Sequence, residues 1–223
     1  MNGNTGLRLS VVCVKILTKS QLIDIKQEAL MIDQVEMMKT INKFRGDAIT
    51  VPVFRANVAW AKVTDNVKRD IPVGGAMGKA SSVALGLALS QPDKKVILFD
   101  GDGSLLMNLG SLVTIANKGP KNLIHFVMEN GVYATTGGQE VPGAQTTEYA
   151  DMAKSAGYKH AYKFDNLEDF VTQAEEIFTV EGPVFVAAKV IPDIRMPEER
   201  SAGGQRRTPE AVIDLMADLS TTR

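Results

Sequence analysis

The chain has 223 residues, 25 basic and 26 acidic, for a formal net charge of −1. That length suits one domain with appendages around a sizeable core, and that balance gives no electrostatic case for nucleic acid or an anionic membrane surface. The single cysteine, Cys13, rules out a disulfide framework or a cysteine-held zinc or iron–sulfur centre made by this chain alone; no apolar run reaches the roughly 18 residues of a membrane span, and no basic leader with a cleavage site opens the chain, so the expected location is the cytoplasm.

Residues 1–20 fit no element. Ser20 is a candidate N-cap, and Ile23, Ile25, Leu30, Ile32, Val35, Met38, Ile41 and Phe44 follow at mixed helical spacings. They predict one long amphipathic helix or two shorter ones. Met31, Met37 and Met38 read as packing or subunit-contact residues. Residues 48–54 predict the first strand, which Pro52 pushes towards a sheet edge or a strand end. Residues 55–65 read as a loop passing into a short helix, with Trp60, the only tryptophan, packed in a core or an interface.

Residues 71–78 hold three glycines, Gly74, Gly75 and Gly78, which let a backbone approach a ligand or take positive φ. A helix of small residues follows from Lys79 to Leu89. The apolar run 96–99 predicts a buried strand ending in Asp100-Gly101-Asp102-Gly103-Ser104, with a helix expected over 105–118. A second apolar run, 123–128, leads into Glu129-Asn130-Gly131-Val132-Tyr133. Adjacent parallel strands ending at Asp102 and Asn130 put a carboxylate and an amide oxygen together at the carboxyl edge of a sheet, where open α/β sheets bind ligands. Oxygen donors of that kind suit Mg²⁺ held together with a diphosphate, and a hydroxyl at a helix start favours the anion.

Asn108 has two readings, facing a cofactor or facing solvent. His125, mid-strand among apolar neighbours, reads as a buried neutral imidazole rather than a base. Residues 133–140 read as a loop over the ligand, offering Thr135, Thr136 and Gln139 to a substrate. Residues 147–156 predict a helix, 159–163 a strand, and 166–180 a helix capped by Asn166 with Asp169 three residues on. Residues 182–191 supply the last buried strand. Residues 195–207 read as a solvated linker, with Arg206 and Arg207 as candidate neighbours of an acidic substrate; Thr208 and Pro209 open a C-terminal helix. The alternation of strands and helices predicts an α/β fold, a doubly wound, mainly parallel sheet with helices on both faces. Residues 1–46 form an N-terminal helical extension in this reading, 47–192 the ligand-binding domain, and 193–223 a linker and C-terminal helix.

Gly101-Asp102-Gly103 followed after a second strand by Asn130 resembles the thiamine diphosphate signature. Over residues 70–190 the runs GxMGxASSxxLGLAL, PDKKV, DGDGSLLMNLGSL and ENGVYATTGGQ look most like the β subunit of sulfopyruvate decarboxylase and the C-terminal half of phosphonopyruvate decarboxylase. The resemblance implies the pyrophosphate-binding (PP) domain of that family, with Mg²⁺ held by Asp102, Asn130 and the Val132 carbonyl, and the diphosphate by Gly103 and Ser104. Gly101 and Tyr133 belong to the same loops. Met77 matches the wedge under the bent cofactor, flanked by Ala76, and the Gly75 carbonyl would accept from its 4′-amino group. Glu129 departs from the family's usual asparagine, and Arg55-Ala56-Asn57 depart from its small or hydroxyl residues after the first strand. The implied reaction is decarboxylation of a small anionic 2-oxo acid carrying a sulfonate or phosphonate, giving an aldehyde and CO₂. The glutamate that activates the cofactor belongs to a pyrimidine-binding (PYR) domain, for which this chain has no room, so a PYR-domain α subunit is the expected partner and self-association through PP domains is expected too. An oxidoreductase β subunit, an acetolactate-synthase-like carboligase half and a non-catalytic binding module are the rival readings. A nicotinamide dehydrogenase is disfavoured, because no G-x-G-x-x-G with a following acidic residue lies at the first strand.

Overall fold

The computed structural model describes residues 31–194 and 208–221. Every element below belongs to the unit Met31–Arg223. The readings made for residues 1–30, Ser20 and Cys13 among them, and for 195–207 with Arg206 and Arg207, lie outside the described residues.

The elements run α1 (Gln34–Phe44), β1 (Ile49–Pro52), α2 (Phe54–Trp60), a 3₁₀ turn (Val67–Arg69), α3 (Ala80–Ser90), β2 (Val96–Gly101), α4 (Asp102–Leu106), α5 (Ser111–Lys118), β3 (Leu123–Glu129), β4 (Val132–Tyr133), β5 (Gln139–Glu140), α6 (Tyr149–Ala156), β6 (His160–Phe164), α7 (Leu167–Thr179), β7 (Val184–Lys189) and α8 (Thr208–Thr221). Five strands form one sheet in the order β1-β2-β3-β7-β6, and every pair in it is parallel. Parallel strands joined through helices are covered on both faces, which is why their sequences are unbroken apolar runs rather than alternating ones. One face carries Val96, Leu98, Leu123, Val127 and Phe185 against α3, α5, α6 and α8. The other carries Ile97, Phe99, Ile124, Phe126 and Val186 against α1, α2 and α7. The expected doubly wound α/β fold is therefore present, with Pro52 on an edge strand.

Local details differ from the expectations in four places. The helix before β1 starts at Gln34, where Asp33 Oδ1 accepts from the Val35 and Glu36 N–H groups at 2.8 and 2.9 Å; its Met37, Met38 and Ile41 are fully buried in the core, while Met31 is only half-buried. Residues 31–46, grouped with the extension on sequence, thus pack as part of the α/β unit. The segment 55–65 has no leading loop, because α2 begins directly at Phe54. The helix expected over 105–118 is broken between α4 and α5, where Met107, Asn108, Ser111 and Leu112 donate to carbonyls three residues back, the tighter turn that ends an α-helix. Residues 133–140, read as an irregular loop, form a short antiparallel hairpin pairing Val132 with Glu140 and Tyr133 with Gln139.

Trp60 is packed, as its residue type suggests, and joins a buried polar hub. Asp70 accepts from Arg45 Nη2 (2.7 Å), Thr50 Oγ1 (2.6 Å), Trp60 Nε1 (3.0 Å) and Thr64 Oγ1 (2.7 Å). Asn166 caps α7 by accepting from Asp169 N at 2.9 Å, and its amide donates to the Asp169 carboxylate at 2.6 Å.

Candidate cofactor site

The site is assembled where β2 and β3 end side by side. Their register aligns Gly101 with Met128, so Asp102, one residue on, and Asn130, two residues on, leave the sheet close together. Asp102 begins α4 and is only 4% exposed. Its Oδ1 accepts from Gly103 N and its Oδ2 from Gly131 N, both at 2.7 Å. Asn130 Oδ1 accepts from Val132 N at 3.0 Å, closing a turn in which Gly131 takes φ 72°. Gly103 is a steric requirement here, since a Cβ at that position would lie 2.5 Å from Tyr133 Cε1.

The glycine-rich segment before α3 is fastened to this turn. Ser104 Oγ accepts from Gly78 N at 3.2 Å and Asn108 Nδ2 donates to Gly78 O at 2.8 Å. Gly78 takes φ 80° and Gly75 φ 87°, so both use the conformational freedom of glycine. Asn108 thus faces neither cofactor nor solvent as its main engagement; it holds the Gly78 peptide.

A cleft opens between these parts, its empty space of about 520 Å³ including the open solvent at its mouth. Met77, Gly101, Asp102, Gly103, Ser104, Asn130, Val132 and Tyr133 line it, with Arg55 and its neighbours on one wall and Thr135 and Thr136 on another. Met77 is half-buried at this wall rather than sealed in the core. Gly75, Ala76 and Gln139 are exposed and do not line the cleft; Gln139 is bonded back to Thr136.

The electrostatics of the site are those of crowded carboxylates. Burial pushes the Asp102 carboxyl above its ordinary range, the N–H groups of Gly131, Gly103 and Asn130 pull it back, and the Asp100 charge pushes it up again. Burial, then the Asp102 charge, raise Glu129 to about 7. The Tyr149 phenol is raised as well, by burial first and then by the Asp102 and Glu129 charges, and its hydroxyl has no hydrogen-bond partner. A buried carboxylate with lone pairs to spare, beside an amide oxygen, is a donor set that a hard divalent cation would stabilise, so the residues present fit Mg²⁺ with a diphosphate.

Two features were not legible in sequence. Asp100 is fully buried, lines the cleft, and its Oδ1 accepts from Gly101 N at 2.9 Å. Its Oδ2 lies 3.8 Å from His125 Nε2, and His125 Nδ1 meets the Tyr158 hydroxyl at 3.1 Å. His125 is buried, as its apolar neighbours suggest. The second feature is the corner after β1, where Phe54, not a glycine, takes φ 43°. The only sequence signal there was the departure of Arg55 from the family pattern.

Comparison with known proteins agrees with this geometry. Residues 57–188 match the family model for the thiamine pyrophosphate enzyme, C-terminal TPP binding domain. The sulfopyruvate decarboxylase subunit beta of Methanothermobacter thermautotrophicus is 36% identical over 167 residues, 73% of this chain and 84% of that protein. Its counterpart in Methanocaldococcus jannaschii is 41% identical over 125 residues, 56% of this chain and 65% of that protein. The phosphonopyruvate decarboxylase of Streptomyces hygroscopicus is 38% identical over 118 residues, and the match takes in 53% of this chain but only 29% of that protein. A solved Mycobacterium smegmatis protein assigned to the thiamin diphosphate-dependent enzymes shares the fold with a TM-score of 0.62 at 19% identity, over 72% of this chain and 32% of that one. Among the described residues no helix is long and apolar enough to cross a membrane.

Proposed function

The chain belongs to the thiamine pyrophosphate enzymes, of which it carries the C-terminal TPP-binding domain, and from that premise we propose that it is the cofactor-binding subunit of a two-subunit 2-oxo acid decarboxylase. The observation that carries this reading is the direct bond from Gly131 N to Asp102, which ties the two halves of the motif together. In this proposal Asp102, Asn130 and the Val132 carbonyl hold Mg²⁺, Gly101, Gly103 and Ser104 receive the diphosphate, and Met77 and Tyr133 bound the cofactor. Gly75 and Ala76 border its pyrimidine end. The cofactor supplies an electron sink for decarboxylation; this chain's own residues bind, orient and keep water from it. The α/β domain of residues 47–192, with α1 completing its core, is the unit that does so.

The substrate class follows from the relatives' names. A 2-oxo acid bearing a sulfonate or a phosphonate would lose CO₂ and leave an aldehyde. A partner subunit carrying a PYR domain would supply the glutamate that activates the cofactor, with PP domains also meeting one another.

The test combines this chain with a candidate PYR-domain subunit, thiamine diphosphate and Mg²⁺, and measures CO₂ and aldehyde from sulfopyruvate and phosphonopyruvate. Release from either, abolished by EDTA, is expected. Formation of an acetolactate-type condensation product instead of an aldehyde would replace this reading with the carboligase one. Cofactor binding without turnover in any pairing would replace it with the binding module.

A further inference from the structure

Arg55 is the feature of the cleft that the site as described does not use. Among the described residues lining the cleft it alone carries a positive side chain, whereas Asp100 and Asp102 carry negative ones. It stands on the corner after β1, directly behind Phe54 at φ 43°, and a bulky residue held at positive φ marks a backbone fixed by its surroundings. Its side chain is 16% exposed, so it is largely withdrawn from water, yet its partner is the carboxylate of Asp193, whose side chain is 50% exposed. Nε and Nη2 both donate to a single oxygen, Oδ2, at 3.2 and 2.6 Å. That is not the two-oxygen fork in which guanidinium pairs are strongest, and a half-exposed ion pair contributes little net stability.

Asp193 arrives from the other side of the site. The segment after β7 is tied to it by Val190 N donating to Glu129 O and Ile191 N to Ile32 O, both at 3.0 Å. Ile194 lies against Gly138 of the β4–β5 hairpin, where a Cβ would come within 2.8 Å of Ile194 Cδ1. The pair therefore joins the corner after β1, which lines the cleft, to the segment after β7.

We propose that Arg55 is the oxyanion receptor of the cleft and that Asp193 is its exchangeable latch, given up when a phosphate, phosphonate or sulfonate group enters. The proposal rests on the functional reading above, and two sources of that chemistry are available under it: the diphosphate of the cofactor and the acid group of the substrate. A planar donor fork matches either tetrahedral anion, and the half-exposed, single-oxygen pair with Asp193 is a weak competitor for it.

The latch has a signature that a structural ion pair lacks. If the pair only braced the fold, removing either partner would weaken ligand binding. A latch gives opposite signs: Arg55→Ala weakens and Asp193→Asn tightens. Equilibrium binding to the full chain with its partner subunit and Mg²⁺ is measured with two probes, thiamine diphosphate and, on the cofactor-loaded protein, the unreactive acid sulfoacetate. For the probe that Arg55 receives, Arg55→Ala is expected to weaken binding by about tenfold or more, Arg55→Lys by less, and Asp193→Asn to tighten it a few-fold, within the range of exposed ion pairs. Opposite signs with thiamine diphosphate assign Arg55 to the diphosphate; opposite signs with sulfoacetate alone assign it to the substrate. Tighter binding cannot come from a damaged fold. Wild-type binding of thiamine diphosphate with unchanged or uniformly weakened affinities in both variants overturns the latch alone, whereas a wild-type assembly that binds neither probe overturns the functional reading.

Discussion

Asp102 and Gly131 are bonded across the ends of two adjacent strands, carboxylate oxygen to backbone N–H at 2.7 Å. A residue at the close of one apolar run and a turn at the close of the next thereby become one object, and the carboxylate's remaining lone pairs are aimed by backbone rather than by a mobile side-chain partner. Asp102→Asn keeps the size and one acceptor while removing the charge. Thiamine diphosphate binding in Mg²⁺, followed by calorimetry, is expected to fall by at least about a hundredfold, the upper reach of losses seen when the partners of a metal site are altered. The ligand-free protein should lose about 1–3 kcal/mol of stability, because one of the two N–H groups bonded to the carboxylate would face an amide NH2 instead. Unchanged affinity would dissolve the assignment of the metal to this turn.

Glu129 links pH to folding. Its carboxyl is raised from 4.5 to about 7, by burial first and the Asp102 charge second. The folded state then binds the proton more tightly than the unfolded one, so this contribution to stability is complete below about 4.5, is lost as the pH rises towards 7, and is level above that. A shift of this size corresponds to about 3 kcal/mol. Denaturant titrations of metal-free protein should show stability falling over that window, and Glu129→Gln should flatten the fall. A wild-type profile already flat between pH 5 and pH 7 would show Glu129 ionised throughout.

Gly103 is pinned by an aromatic ring. A methyl group there would meet Tyr133 Cε1 at 2.5 Å and Cδ1 at 2.8 Å, so Gly103→Ala must push the ring outwards. A loss of about 1–3 kcal/mol is expected from overpacking, with a change in Tyr133 fluorescence or ring NMR signals. Combining it with Tyr133→Ala should restore most of the stability, and failure of that rescue would place the clash elsewhere.

Asp70 gathers four donors, among them the buried guanidinium of Arg45. Asp70→Ala leaves that cation only the exposed carboxylate of Asp65, 3.7 Å away, and breaking a buried pair typically costs about 3–5 kcal/mol. The cofactor cleft is not part of this hub, so at a temperature where the variant stays folded its affinity for thiamine diphosphate should match the wild type.

What sequence could convey here was periodicity and punctuation. Buried parallel strands are unbroken apolar runs, which made β2, β3 and β7 legible, and Asn166 with Asp169 announced α7. The Asp102 and Asn130 pairing was legible because each sits at the end of such a run. Asp100 was not, since a carboxylate beside a glycine is equally at home in a solvated turn, and only the register that brings His125 near it shows that it is buried. The break after Leu106 was hidden because apolar residues recur at helical spacing on both sides of it, at 105, 109, 112 and 116, and the interruption depends on Asn108 reaching a carbonyl thirty positions earlier. Arg55 stood out only by failing to fit; its partner, Asp193, is 138 positions away.

Gly78, held at its N–H by Ser104 and at its carbonyl by Asn108, fastens two loops of the site to each other. A ligand spanning them meets a mould already set during folding, so little ordering is left to oppose its binding. The same fastening constrains how the site can change over evolutionary time: a substitution that resizes the mould at Met77 also shifts the turn carrying Asp102, and new substrate preferences are more readily acquired on the Arg55 wall, outside this clamp.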